Sequence, residues 1–283
     1  MKLVIHAGTH KTASTTFQNL CMSSRATLEK DGVLFPMYSN WEQHSFAAWM
    51  LQKRDFANLK LFLNSAFSQT EKKDCKITLI SGEDFENCLV DTHLAYEFET
   101  IARSSGYTEL EWVVVKRDQF DYLQSIYAEK SMYQMCLDLE LMANLIIDYG
   151  FISPGGRRYN YKFVFDILKF SEIFKQNVNS NFQIIYYEDF IADFAGKPLL
   201  KKFLGEKSLN TLRTSSKSIG SLKKRDNIRT VEFRYVANFL GVNPSKEFYE
   251  SNVGLVDDLV AHRIKRNETI LKDIETKFKH RFQ

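Results

Sequence analysis

The chain has 283 residues, 44% hydrophobic and 26% charged, with a net charge of +3. That balance is ordinary for a soluble globular protein, and the length suits one large domain. The charge is too small for a nucleic-acid binder, and no apolar run approaches the roughly 20 residues that span a bilayer.

The four cysteines, Cys21, Cys75, Cys88 and Cys136, are scattered without a C-x-x-C pair. They read as reduced core thiols. The opening "MKLVIHAG" has too short an apolar run for an export signal, so the expected location is the cytoplasm. Asn267-Glu268-Thr269 matches a glycosylation sequon and reads as chance in a chain without such a signal.

In chain order, Lys2 to Ile5 reads as a short buried strand. "HAGTHKTASTT" (6–16) follows as a turn, and a helix begins near Thr12. Phe17, Leu20, Cys21, Ser24 and Leu28 share one face of it, and Gly32 stops it. "VLFP" is an extended stub, and residues 41–70 hold two helices. "KITLIS" (76–81) is a buried strand that runs into "GEDFEN". Residues 91–106 form a helix with Asp91 as N-cap and Gly106 as stop.

"LEWVVVKR" (110–117) is the next buried strand, followed by a long helical region. "SPGGRRYN" (153–160) is a loop, and a helix covers 161–177. "FQIIYY" (182–187) is the fourth strand, with "EDF" and the short helix "KPLLKKFLG" behind it. Everything after 205 reads as helix and loop.

This alternation implies an α/β fold: a three-layer open parallel sheet with helices on both faces. We read residues 1–283 as a single domain, with 205–283 as its mainly helical C-terminal extension. Ligands in such sheets sit beyond the carboxyl ends of the strands. The segments there are "HAGTHKTAST", "SGEDF", "KRDQFDYLQS" and "YEDF".

The first of these has the composition of an anion cradle. A helix N-terminus offers unpaired N–H groups and a partial positive charge. Gly8 permits a tight turn, Lys11 adds a full charge, and Thr12, Ser14, Thr15 and Thr16 add hydroxyls. The spacing does not fit G-x-x-x-x-G-K-[ST], because Gly8 precedes Lys11 by only three residues and His10 stands directly before it. No strand ends in a convincing magnesium-binding Asp, so no metal is expected.

"HAGTHKTASTTFQ" resembles the 5′-phosphosulfate loop of sulfotransferases that use 3′-phosphoadenosine 5′-phosphosulfate (PAPS), in particular the bacterial carbohydrate-type members. Their usual pattern has Gly and Thr where this chain has Ala13 and Ser14. The resemblance implies a P-loop-like sulfotransferase fold and assigns Gly8, Thr9, His10, Lys11, Thr12, Ala13, Ser14, Thr15 and Thr16 to the cofactor. It extends to "RDQFDYLQSIY", where Arg117 and Ser125, with Tyr127 beyond, match the family's 3′-phosphate anchor. Read alone, Arg117 equally suits a surface ion pair with Asp118 or Asp121. "YYEDF" matches a late strand and turn in which Glu188 and Asp189 read as architectural, and "SSKSIGSLKKR" offers Lys217 and Ser218 as a lid. The likeness runs from residue 1 to about residue 205.

The implied reaction moves a sulfuryl group from PAPS to a hydroxyl or amine of a carbohydrate-type acceptor. Lys11 stabilises the leaving phosphate, and Glu83 in "LISGEDF" is the candidate general base. His44 is a second candidate for the acceptor side, and His10 frames the cofactor. Glu83 also reads as a helix-capping residue after Ser81. "GGRRY" (155–159) and "LKKR" (222–225) suit a basic rim for an acidic glycan or an ordinary surface. Two other readings stay open: a small-molecule kinase using ATP–Mg²⁺, and a non-catalytic nucleotide-binding protein.

Overall fold

A computed structural model describes residues 1–38, 43–133, 138–154, 160–219, 226–239 and 253–282. Its main elements in chain order are β1 (Lys2–His6), α1 (Ser14–Ser23), β2 (Val33–Leu34), α2 (Ser45–Gln52), α3 (Phe56–Lys72), β3 (Ile77–Ser81), α4 (Thr92–Ser104), β4 (Glu109–Lys116), α5 (Gln119–Ser131), α6 (Leu139–Tyr149), α7 (Ile167–Asn177), β5 (Asn181–Tyr186), α8 (Glu206–Ser216), α9 (Ile228–Phe239) and α10 (Val253–Phe282). Shorter helical and extended pieces join them. Among the described residues, no helix is long and apolar enough to cross a membrane.

The chain divides into two compact units. One is Met1–Arg117 with Ser153–Leu222, and the other is Asp118–Ile152 with Lys223–Gln283. The first unit is α/β. Its five strands run parallel in the order β2-β3-β1-β4-β5. The stub at Val33 is thus a true edge strand, paired with Ile77, which makes a fifth strand beyond the expected four. Residues 161–166 are not helical as expected. Phe163–Val164 is extended, and α7 begins only at Ile167, where the Asp166 side chain accepts from the Lys169 N–H.

Alternation along the strands sends side chains to two apolar layers. On one face, Val4, Leu79, Val113, Val115 and Ile185 pack with Phe17, Leu20 and Cys21 of α1 and with Phe190, Leu199, Leu209 and Leu212. On the other face, Trp112 meets Phe98 of α4 and Phe174 of α7 edge-on, at 5.6 and 5.4 Å between ring centroids. The helix after β1 therefore lies on one face of the sheet, while α4, which follows β3, and α7, which precedes β5, lie on the other. Such a divergence opens a crevice beyond the carboxyl end of the strand at which it occurs.

The second unit is helical. Tyr127 of α5, Glu232 of α9, and Arg263 and Asn267 of α10 form its central polar knot. Arg263 Nε donates to the Glu232 carboxylate at 2.7 Å, and Asn267 Nδ2 donates to its other oxygen at 2.9 Å. Asn267 is 1% exposed, so the folded chain hides its sequon from modification. Cys21, Cys75 and Cys88 are buried free thiols, while Cys136 lies outside the described residues.

Gly82 marks the tightest backbone approach at the end of β3. A Cβ there would stand 2.8 Å from the Ser45 nitrogen and 3.0 Å from the His44 carbonyl carbon. Gly82→Ala must push two backbones apart, and a stability loss of roughly 1–3 kcal/mol is expected, read as a lower urea midpoint.

Candidate functional site

The loop between β1 and α1 is built by its backbone. Lys11 (φ 61°) and Ala13 (φ 63°) are both left-handed, and Thr12 between them is not. Alternation of this kind curls successive N–H groups around a shared concavity, a form that takes anions. Helix α1 starts at Ser14, later than expected, and its N-cap Ala13 has no side chain to satisfy the first N–H groups. The helix-end charge therefore faces the same concavity.

The hydroxyls of the loop serve mainly to hold it. Thr9 Oγ1 donates to the Val115 carbonyl at 2.8 Å, and Thr12 Oγ1 donates to the Thr9 carbonyl. Both threonines are buried, so their hydroxyl protons are committed within the protein rather than offered to a ligand. Ser14 is also buried, Thr16 is half-buried, and Thr15 is exposed. Gly8 is dictated by space, since a Cβ there would lie 2.7 Å from Ser14 Oγ and 3.2 Å from the His6 ring. His6 itself is fully buried between Phe17 and Phe190, and burial lowers its pKa to about 3.

Arg117 leaves the end of β4 and reaches the loop. Its Nη1 donates to the Lys11 carbonyl at 2.8 Å. Its guanidinium lies over the Tyr187 ring, 4.8 Å from the centroid. Its Nε is buried and has no hydrogen-bond partner among the described residues. Tyr187 belongs to the "YYEDF" segment, whose acidic pair, Glu188 and Asp189, is exposed in the first turn of helix Tyr187–Ile191. The useful residue of that segment is therefore the tyrosine, which the sequence reading passed over.

His10 turns away from the concavity into a buried acidic cluster. Its backbone N–H donates to Glu86 Oε2 at 3.0 Å, and its Nδ1 stands 2.8 Å from the same oxygen. Its Nε2 is 3.6 Å from Asp84 Oδ1. Phe163 and Tyr161 close over the ring edge-on. Burial alone would lower the imidazole pKa. The carboxylates of Glu83, Asp84 and Glu86 outweigh it and hold the pKa well above 6.5. His10 is thus a buried cation that ties the loop to the turn after β3. Glu86, fully buried, also accepts from the Val164 N–H. Glu83, half-buried, opens that turn beyond the carboxyl end of β3.

His44 does not suit the acceptor-side role expected of it. It is 1% exposed, its Nδ1 accepts from the Ser81 N–H at 3.0 Å, and its Nε2 donates to the Pro36 carbonyl at 3.0 Å. With both nitrogens occupied and the pKa lowered by burial to about 4, it is a neutral bracket between two backbone segments.

Ser125 belongs to the second unit, on α5, where its hydroxyl donates to the Asp121 carbonyl at 2.8 Å. Tyr127 is committed to the polar knot of that unit, accepting from Arg263 Nη2 at 2.8 Å. Lys217 and Ser218 are exposed just after α8, and Ser218 Oγ donates to the Ser215 carbonyl. The rest of the expected lid, 220–225, and the "GGRRY" segment, 155–159, lie outside the described residues.

No family model, no curated protein and no solved structure matches the chain.

Two predictions test this reading of the loop. Ala13 carries a Cβ in a left-handed conformation, at a cost of roughly 1–2 kcal/mol. Ala13→Gly relieves it against about 0.5–1 kcal/mol of added chain entropy, so a small net rise in thermal midpoint is expected. The His10 pKa is raised in the folded state, so its pairing stabilises fully below 6.5 and fades as pH rises through the folded value. The midpoint gap between the parent and His10→Gln should therefore be widest near pH 6 and shrink in alkali. A gap that grows with pH contradicts the assignment.

Proposed function

We propose that the chain is a PAPS-dependent sulfotransferase acting on a hydroxyl or amine of a carbohydrate-type acceptor. The observation that carries the reading is the concave backbone from Gly8 to Ala13, with two left-handed residues at the mouth of a helix. It stands beyond the carboxyl end of the central strand, in a sheet from which the chain departs on opposite faces. The class of acceptor rests on the resemblance of "HAGTHKTASTTFQ" to carbohydrate-type members.

In this reading the loop N–H groups and Lys11 receive the 5′-phosphosulfate. The acceptor oxygen or nitrogen attacks sulfur, the bond from sulfur to the phosphate oxygen breaks, and adenosine 3′,5′-bisphosphate (PAP) departs. The phosphate gains charge as it leaves, so a fixed cation and fixed N–H dipoles lower the barrier. Lys11 supplies the first and the start of α1 the second. The acceptor loses its proton to a carboxylate, for which Glu83 stands at the right strand end. Arg117 contributes positive charge at the neighbouring strand end.

The kinase reading differs in its ligand. It calls for a triphosphate with its divalent ion, whereas this loop has His10 in place of the glycine before the lysine. Thermal shift separates the two readings: PAP should raise the midpoint more than ATP–Mg²⁺ does. The reverse ranking would falsify the proposal. Tight PAP binding with no transfer of labelled sulfate to any glycan would favour a non-catalytic nucleotide-binding protein.

Lys11→Ala is expected to abolish transfer. Glu83→Gln should lower kcat by about 10²-fold or more while PAP affinity stays near the parent value. Unchanged kcat in Glu83→Gln would move the base elsewhere.

A further inference from the structure

We infer that Arg117 is a positioning residue for the loop, acting through the carbonyl of Lys11 on how the 5′-side of the nucleotide is held. The inference rests on the proposed function, yet its geometry stands apart from it. By the resemblance alone, Arg117 would serve the 3′-phosphate. In the structure its Nη1 donates to the Lys11 carbonyl at 2.8 Å, joining the end of β4 to the middle of the loop.

Lys11 is the residue whose backbone most needs holding. It is not glycine, yet its φ is 61°. A peptide unit in that conformation persists only where the surroundings over-determine it. The bond from Arg117 fixes the carbonyl of this unit. Fixing the carbonyl also fixes the following N–H, that of Thr12, because the two share one rigid peptide plane. That N–H is among those curled around the concavity.

The guanidinium is itself held in place. Tyr187 lies beneath it at 4.8 Å, and a planar cation over an aromatic face resists sideways movement. Thr9 and Thr12 brace the loop by the same logic, each hydroxyl donating to a carbonyl. Arg117 differs in bringing a full charge. Its buried Nε has no partner among the described residues, so the group is not saturated by the contacts that anchor it.

The test compares two ligands and one ligand-free readout, on the full chain. Adenosine 3′,5′-bisphosphate and adenosine 5′-monophosphate differ only in the 3′-phosphate. Arg117→Ala is expected to weaken both by a similar factor, about tenfold, as for one charge-assisted hydrogen bond. Amide exchange across residues 9–14 of the free protein should rise in the same variant. Tyr187→Phe keeps the ring and should retain parent affinities, whereas Tyr187→Leu should lose part of them for both ligands. Should Arg117→Ala not fold, Arg117→Lys serves the same readouts, since it keeps a cation at the strand end but not the planar fork.

Loss confined to the bisphosphate, with the monophosphate unaffected, overturns the inference in favour of a plain 3′-phosphate ligand. Unchanged exchange across residues 9–14 overturns it whatever the nucleotides do. If the parent protein binds neither nucleotide, the proposed function falls, and the exchange result still decides whether Arg117 clamps the loop.

Discussion

Two residues with one between them, Lys11 and Ala13, hold the chain at φ 61° and 63°. Neither is glycine, so each gives up roughly 1–2 kcal/mol against a relaxed backbone. That strain persists because the loop is tied at four points. Arg117 takes the Lys11 carbonyl, Thr9 donates to β4, Thr12 closes back onto Thr9, and the His10 N–H is held by Glu86. Undo these ties and the concavity has no reason to exist. Three of them come from elements that the parallel sheet brings to the same end, β4 and its end through Val115 and Arg117 and the turn after β3 through Glu86, and the fourth lies within the loop.

The packing beneath the loop is equally constrained. Gly8 leaves the gap that Ser14 and the His6 ring need, and Gly82 lets the chain at Ser45 lie against the end of β3. His44 then bolts that approach by holding the Ser81 N–H and the Pro36 carbonyl. The carboxyl end of the sheet is therefore crowded with backbone-to-side-chain bonds over several residues. A surface turn that merely connected β1 to α1 would not require them.

Much of this was legible in the residues. The apolar runs at "KLVI", "KITLIS", "LEWVVVKR" and "FQIIYY" marked four of the five strands, because strands buried on both faces cannot hide their composition. The edge strand at Val33 was too short to announce itself, with two residues paired to β3. The unusual loop was legible as well, since glycine, lysine and hydroxyl residues crowd a strand end. The direction of each side chain was not. Thr12 looked like a ligand donor and instead closes the loop, and His44 looked reactive and is a bracket. Glu86 and Tyr187 went unnoticed because their partners, His10 and Arg117, are some 70 residues away, and no local spacing reports such pairings. In the second unit, Ser125 and Tyr127 fit a spacing, and what the spacing did not report is that their hydroxyls serve helical and interhelical bonds.

The charge arrangement decides whether the loop can receive an anion at all. Three carboxylates, those of Glu83, Asp84 and Glu86, follow one another closely behind it, and unpaired they would repel a phosphate. His10 changes that balance. Glu83, Asp84 and Glu86 together keep it protonated against its own burial, so the imidazolium offsets part of their charge inside the protein. Glu86 is further quenched by the backbone N–H groups of His10 and Val164. On the loop side of this cluster, Arg117 brings its charge to the Lys11 carbonyl and α1 opens with an uncapped first turn. An interaction between full charges at 4 Å is worth about 4 kcal/mol near a protein surface, so which charges are already paired outweighs how many there are. The histidine, turned inward, thus lowers the negative charge that an anion at the loop would meet.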